Sequence, residues 1–174
     1  MSVFLQPIYT QTVGASPVSF INFNSIPQTF TDLKLVISSR SNLSALYDFM
    51  YIRFSGDTAS NYSNTRIQGD GAASSSANQS SITASYFAMS AAATATSNTF
   101  SNLEMYLPNY TGANYKQIVT DSVTENNATN AYETMWAGLW RNTSAVSSMS
   151  IVCNTGSFVQ YSTFSLYGVL RSGI

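Results

Sequence analysis

Histidine is absent from this chain of 174 residues, cysteine occurs once, and charged residues amount to only 9%. Each gap excludes something. Without histidine there is no Ser-His-Asp or Cys-His nucleophile, no imidazole metal site and no histidine acid–base step. A lone cysteine, Cys153, permits no intrachain disulfide and no CxxC redox or zinc pair. A free thiol fits a chain made in a reducing cytosol. Ordinary soluble domains carry about 25% charged residues. With three Glu and two Lys, this chain lacks the side chains from which helix surfaces are built, and a mostly helical fold is excluded. The net charge of −1 offers phosphates no basic field, so nucleic acid is not an expected partner. No run of about 18 apolar residues occurs, and the opening MSVFLQPIYTQTV lacks a basic segment followed by a long apolar one. Neither a membrane span nor a signal peptide is expected.

What is present is polar, aromatic and β-prone. Ser, Thr and Asn supply about a third of the chain, hydrophobic residues 44% and aromatics 13%, enough apolar surface for one core. Short apolar or alternating runs recur between Gly, Asn, Asp, Pro and Ser punctuation, the rhythm of an antiparallel β-protein. Strands are expected over 18–23, 32–38, 49–54, 62–68, 82–89, 99–107, 115–123, 134–141, 148–153 and 163–170. In the second of these, Leu33, Leu35 and Ile37 take one face and Lys34, Val36 and Ser38 the other. Turn chemistry at Ser55-Gly56-Asp57-Thr58 suggests a hairpin over 49–68. Residues 72–81, AASSSANQSS, have little to bury and read as a surface loop. Roughly ten strands must stack or close to hide their edges, which predicts a single-domain antiparallel β-sandwich of the jelly-roll kind.

Candidate chemistry is sparse. The eight acids, Asp32, Asp48, Asp57, Asp70, Asp121, Glu104, Glu125 and Glu133, could in principle supply a glycosidase pair. Several sit at turns, where Asp beside Gly is ordinary capping, so no enzymatic activity is expected. No Ca²⁺ loop spacing is present, and neither a metal nor a cofactor is expected. Trp136 and Trp140 share one face of a strand, where core packing outweighs a sugar-stacking platform. Tyr110 and Tyr115 bracket an Asn- and Gly-containing loop that suits sugar or protein contacts. The apolar start Val3-Phe4-Leu5, with Pro7 close behind, reads as an arm over residues 1–7 that packs on a neighbour, or as a first edge strand.

Three stretches carry a family likeness: FNSIPQTFTDLKL at 23–35, IRFSGDTASNY at 52–62 and STFSLYGV at 162–169. On these the chain resembles small β-structured virion proteins of tailed bacteriophages, which occur as stand-alone virion proteins and as tail-fibre modules. It departs from that pattern in the Ala/Ser stretch and at Gln160-Tyr161. The resemblance implies a place in a phage particle and no catalytic residues. The expected role is a head decoration or cement protein bound to the major capsid protein, self-associated as a trimer, with Val3, Phe4, Leu5, Tyr110 and Tyr115 as contact residues. The alternative is a glycan-binding module of a tail fibre or tail tip.

Overall fold

A computed structural model of the chain describes residues 3–125 and 131–171, and these form strands and connecting segments with no helix. The strands are β1 (Val3–Thr12), β2 (Phe20–Phe23), β3 (Asp32–Ser39), β4 (Tyr47–Phe54), β5 (Tyr62–Gly69), β6 (Ser74–Ile82), β7 (Ser85–Ala91), β8 (Ser101–Pro108), β9 (Lys116–Thr124), β10 (Tyr132–Trp140), β11 (Met149–Cys153) and β12 (Thr163–Arg171). They make two antiparallel sheets, one of order β1-β12-β3-β8-β9-β10-β5-β6 and one of order β2-β11-β4-β7. With the hairpins β5–β6 and β9–β10 set aside, the chain changes sheet at every step except from β4 to β7, which both lie in the smaller sheet. The remaining eight strands stack as β1-β12-β3-β8 over β2-β11-β4-β7, the wrapping of a jelly roll. The two hairpins pair with each other through β10 and β5 and lengthen the larger sheet by four strands.

Period-two alternation drives the packing. Leu33, Leu35 and Ile37 of β3 and Leu103, Met105 and Leu107 of β8 point inward and are buried, facing Met50, Ile52 and Phe54 of β4 across one continuous apolar core. The segments that carry the family likeness meet in this core. Leu35 pairs with Leu166, and Phe30 lies so close over Gly168 that a Cβ there would sit 2.3 Å from the ring.

Three expectations need correction and a fourth is narrowed. Of the two readings of residues 1–7, the first edge strand holds for residues 3–7, and residues 1 and 2 lie outside the described residues. From Val3 onward the segment belongs to β1, paired with β12, and Pro7 is accommodated because β1 is an edge strand whose register shifts between Pro7 and Tyr9. Residues 72–81 are a turn and then a strand, since β6 pairs with β5 through its backbone although its side chains from Ser74 to Ser81 are exposed. The 49–68 hairpin does not exist. Ser55 (φ 50°) and Gly56 (φ 71°) do make a tight turn closed by Asp57 N–H to Phe54 C=O at 2.9 Å, but the next residues carry the chain into the other sheet. The strand expected at 82–89 is the end of β6 and the start of β7.

Candidate functional site

The four added strands overhang the smaller sheet, whose outermost strand on that side is β7. Met50, Ile52 and Phe54 of β4 face the core, so alternation turns Phe49, Tyr51 and Arg53 to the opposite face. There the inner row of the overhang meets them. Asn64 and Arg66 of β5 and Trp136 of β10, with β6 as the outer wall, enclose with Phe49 and Tyr86 a cleft of about 300 Å³. A shallower depression of about 440 Å³ adjoins it, sharing Gln79 and Tyr86 and adding Tyr51 and Arg53. Close approach of the overhang depends on Gly138, where a Cβ would lie 2.6 Å from Ser85 Oγ of β7.

Rings fix the walls. Phe49 meets Trp136 edge-on at 6.1 Å and Tyr86 at 5.9 Å, and Tyr86 donates its hydroxyl to Asn154 Oδ1 at 2.8 Å. The Arg66 guanidinium carbon lies 5.3 Å from the Phe49 ring centroid and 5.2 Å from that of Trp136. Among the described residues the Arg66 side chain makes no ion pair and no hydrogen bond, and its Nε is buried without a partner. Asn64 donates to Gln79 Oε1 at 3.3 Å, which ties β5 to the wall. Among the described residues no carboxylate lines either depression.

A second feature is the outer face of the larger sheet. Ile67 pairs with Met135 across β5 and β10, and Val119 and Val123 lie on the same face of β9. All four are exposed, Ile67 to 55% and Met135 to 50%. Asp121 and Glu133 lie among them on that face.

The residues singled out from the sequence are dispersed. Phe4 and Leu5 are exposed on β1, at the opposite edge of the sheet from the cleft, and the Val3 side chain lies outside the described residues. Tyr110 is a correction: it is fully buried in the core, donates to Pro27 C=O, and its hydroxyl is pushed above the ordinary tyrosine range by burial. Tyr115 is exposed just before β9. Trp136 and Trp140 are both buried, as alternation implied, and Trp136 also touches the cleft. Arg66, Phe49, Tyr86 and Gln79 were not singled out. Period two does place Arg66 on one face with Tyr62 and Asn64, and a cation in such a row is the signal that was there to read.

The acids are engaged locally. Asp57 accepts from Trp140 Nε1 at 2.7 Å, Asn61 Nδ2 at 2.9 Å and Ala59 N at 2.8 Å. Burial pushes its pKa up, but the hydrogen bonds outweigh that and hold it at about 2. Asp70 accepts from the backbone N–H groups of Ala73 and Ala72, which lower its pKa and pin the β5–β6 turn. Asp48 binds Gly156 N at 2.8 Å and Ser41 Oγ at 3.1 Å, and Asp32 binds Asn109 N at 3.0 Å and Tyr106. Cys153 is buried, and burial, reinforced by the nearby Asp48, pushes its thiol upward, away from the reactive thiolate. Among the described residues no three His, Cys, Asp or Glu side chains gather as metal ligands would. No protein-family model, curated protein or solved structure matches the chain.

Proposed function

We propose that the chain is a structural protein of a bacteriophage particle, a decoration protein that binds the outside of the head and braces the major capsid protein. The observation that supports this reading is the outer face of the larger sheet, where Ile67, Met135, Val119 and Val123 lie exposed among Asp121 and Glu133. Exposed apolar side chains gathered on one sheet face, rimmed by carboxylates, suit a protein partner. The low charge of the chain is compatible with life on a shell, where docking replaces charge in preventing aggregation. Self-association, as a trimer, would use the β1 edge, where Phe4 and Leu5 are exposed beside Leu170. Several modest contacts held by one rigid oligomer bind far more tightly than one alone.

The test is localisation followed by disruption. Antibody labelling of intact particles should mark the head surface. A Met135→Glu, Ile67→Glu double variant should fold but lose most of its occupancy on heads. Labelling confined to the tail tip would replace this reading with a second one, a glycan-binding tail module. The aromatic and amide-lined cleft beside Arg66 is the observation that favours that second reading.

A further inference from the structure

We propose that the cleft at the overhang is a binding site for an acidic saccharide, with the Arg66 guanidinium receiving a sugar carboxylate. It names a ligand chemistry for the cleft, and its test uses the isolated protein. It therefore holds or fails independently of where the particle carries the chain.

Arg66 is an anomaly among the described arginines of this protein. Arginine side chains that lose water are normally repaid by a carboxylate or by carbonyl oxygens, because their donors are strong and always charged. Arg40 in this protein shows the ordinary solution, with bonds to the carbonyls of Thr96, Thr99 and Ala95 at 2.9 to 3.0 Å. Arg66 has none. Its charge lies over the Phe49 and Trp136 rings, held by cation–π attraction, and its Nε is buried and unpartnered among the described residues. Two aromatic rings fix the plane of the group and leave its donors without an acceptor, which is the preorganised state of an anion receptor.

The surroundings select the rest of the ligand. Asn64, Asn78 and Gln79 offer amide donors and acceptors together, the chemistry that reads sugar hydroxyls, while Tyr86 and Phe49 present ring surface for the apolar side of a pyranose. A free phosphate would use the cation but not the rings. Arg53 lines the adjoining depression, its Nε bonded to Thr83 C=O at 3.1 Å and its guanidinium 4.9 Å from the Tyr51 ring centroid. Two cations along one groove, with no carboxylate among the described residues lining it, fit a chain of at least two acidic units. A neutral glycan would leave Arg66 as unpaired as it is now.

Calorimetric titration of the purified chain with three probes tests this: trigalacturonate, a hyaluronan hexasaccharide and an α2,8-linked trimer of sialic acid. Maltotriose and inorganic phosphate serve as comparisons. At least one acidic probe should bind, at least tenfold more tightly than maltotriose or phosphate, and more weakly as salt rises. Arg66→Gln should weaken that probe at least tenfold without moving the thermal midpoint. Gln79→Ala, on the exposed wall strand and harmless to the core, should weaken it at least threefold and keeps the test decisive if the arginine variant folds poorly. Binding of no acidic probe, equal binding of maltotriose, equal binding of phosphate, or an affinity unmoved by Gln79→Ala would each overturn the assignment.

Discussion

The two ends of the larger sheet obey the same alternation but are filled with different chemistry. In the jelly-roll half the inward rows are mainly apolar: Leu33, Leu35 and Ile37 on β3, Leu103, Met105 and Leu107 on β8, Phe164 and Leu166 on β12. In the overhang they are richer in polar groups: Lys116, Thr120, Ser122 and Thr124 with Ile118 on β9, Thr134 with Trp136, Gly138 and Trp140 on β10. The hydroxyls pair with one another and with the indole, Ser122 to Thr134 at 2.5 Å, Ser101 to Thr124 at 2.9 Å and Trp136 Nε1 to Thr134 Oγ1 at 3.1 Å. Burial alone therefore does not distinguish the regions. One is held by the hydrophobic effect, worth about 25 cal/mol per Å² of apolar surface. The other is held by a polar ladder, satisfied at Ser122, Thr124 and Thr134 but not at Thr120, in which each bond contributes only about 1 kcal/mol net. The second arrangement is weaker per residue, yet it makes an inner wall on which a polar ligand can rest.

Mutations that remove volume should separate the halves most sharply. Leu35→Ala empties a site with 0% exposure and should cost about 2–5 kcal/mol in denaturant unfolding, whereas Ser122→Ala should cost about 1 kcal/mol. Equal losses would mean that the overhang is packed like the jelly-roll core. Next in size is Gly138→Ala. Its new Cβ would meet Ser85 Oγ at 2.6 Å and Ile118 Cγ1 at 2.7 Å, so β7 and β10 must move apart, at a cost of about 1–3 kcal/mol. The same variant should also disturb the cleft, which a shift in tryptophan fluorescence would report.

Sequence alternation made the jelly-roll half legible because its contrast is strong, as in DLKLVISS, where Leu33, Leu35 and Ile37 are apolar and buried at every second position. β6 was hidden for the opposite reason. In SSSANQSSI both faces are polar and exposed up to the last residue, so no period exists to read, and the strand is held by its backbone pairing to β5. β1 was obscured by Pro7, which a central strand would not tolerate but an edge strand does. The turn at Ser55-Gly56 was read correctly, yet which sheet a strand joins is decided by distant partners. Tyr62 stacks on Phe54 at 6.4 Å, and its hydroxyl accepts from Phe54 N and donates to Phe54 C=O across the two sheets, a contact that strand alternation does not signal. The cleft was illegible for the same reason: Phe49, Arg66 and Trp136 come from three strands that only the assembled overhang brings together.

Asp57 joins the two regions, since it belongs to the turn after β4 and binds the indole of Trp140 on β10. Its folded pKa of about 2 lies below the ordinary carboxylate value of 3.8, so the carboxylate stabilises the fold fully above about pH 4. That contribution is lost as pH falls through 2. After allowance for solvent screening it amounts to about 1–2 kcal/mol. Asp57→Asn should therefore be less stable than the parent at pH 7, with the gap narrowing as the pH drops from 4 to 2. A gap independent of pH would assign the effect to shape rather than charge.

The smallest expected effect is also the sharpest test of the polar ladder. Thr120 sits on the boundary between the halves, paired with Met105 of β8 on one side and Trp136 of β10 on the other. Its Oγ1 is buried with no hydrogen-bond partner, unlike that of Thr134, which bonds both Ser122 and Trp136. A buried hydroxyl without a partner costs desolvation with no return, so exchanging it for a methyl of nearly the same shape removes a penalty. Thr120→Val should be neutral or more stable by up to about 1 kcal/mol, while Thr134→Val should lose about 1 kcal/mol or slightly more, because it removes the acceptor of Trp136 Nε1 and the hydroxyl partner of Ser122. The pair is measured by chemical denaturation with equal slopes required, so that the comparison reports the folded state. A loss at position 120 as large as that at 134 would show that the hydroxyl at the boundary is satisfied and that the polar ladder includes Thr120.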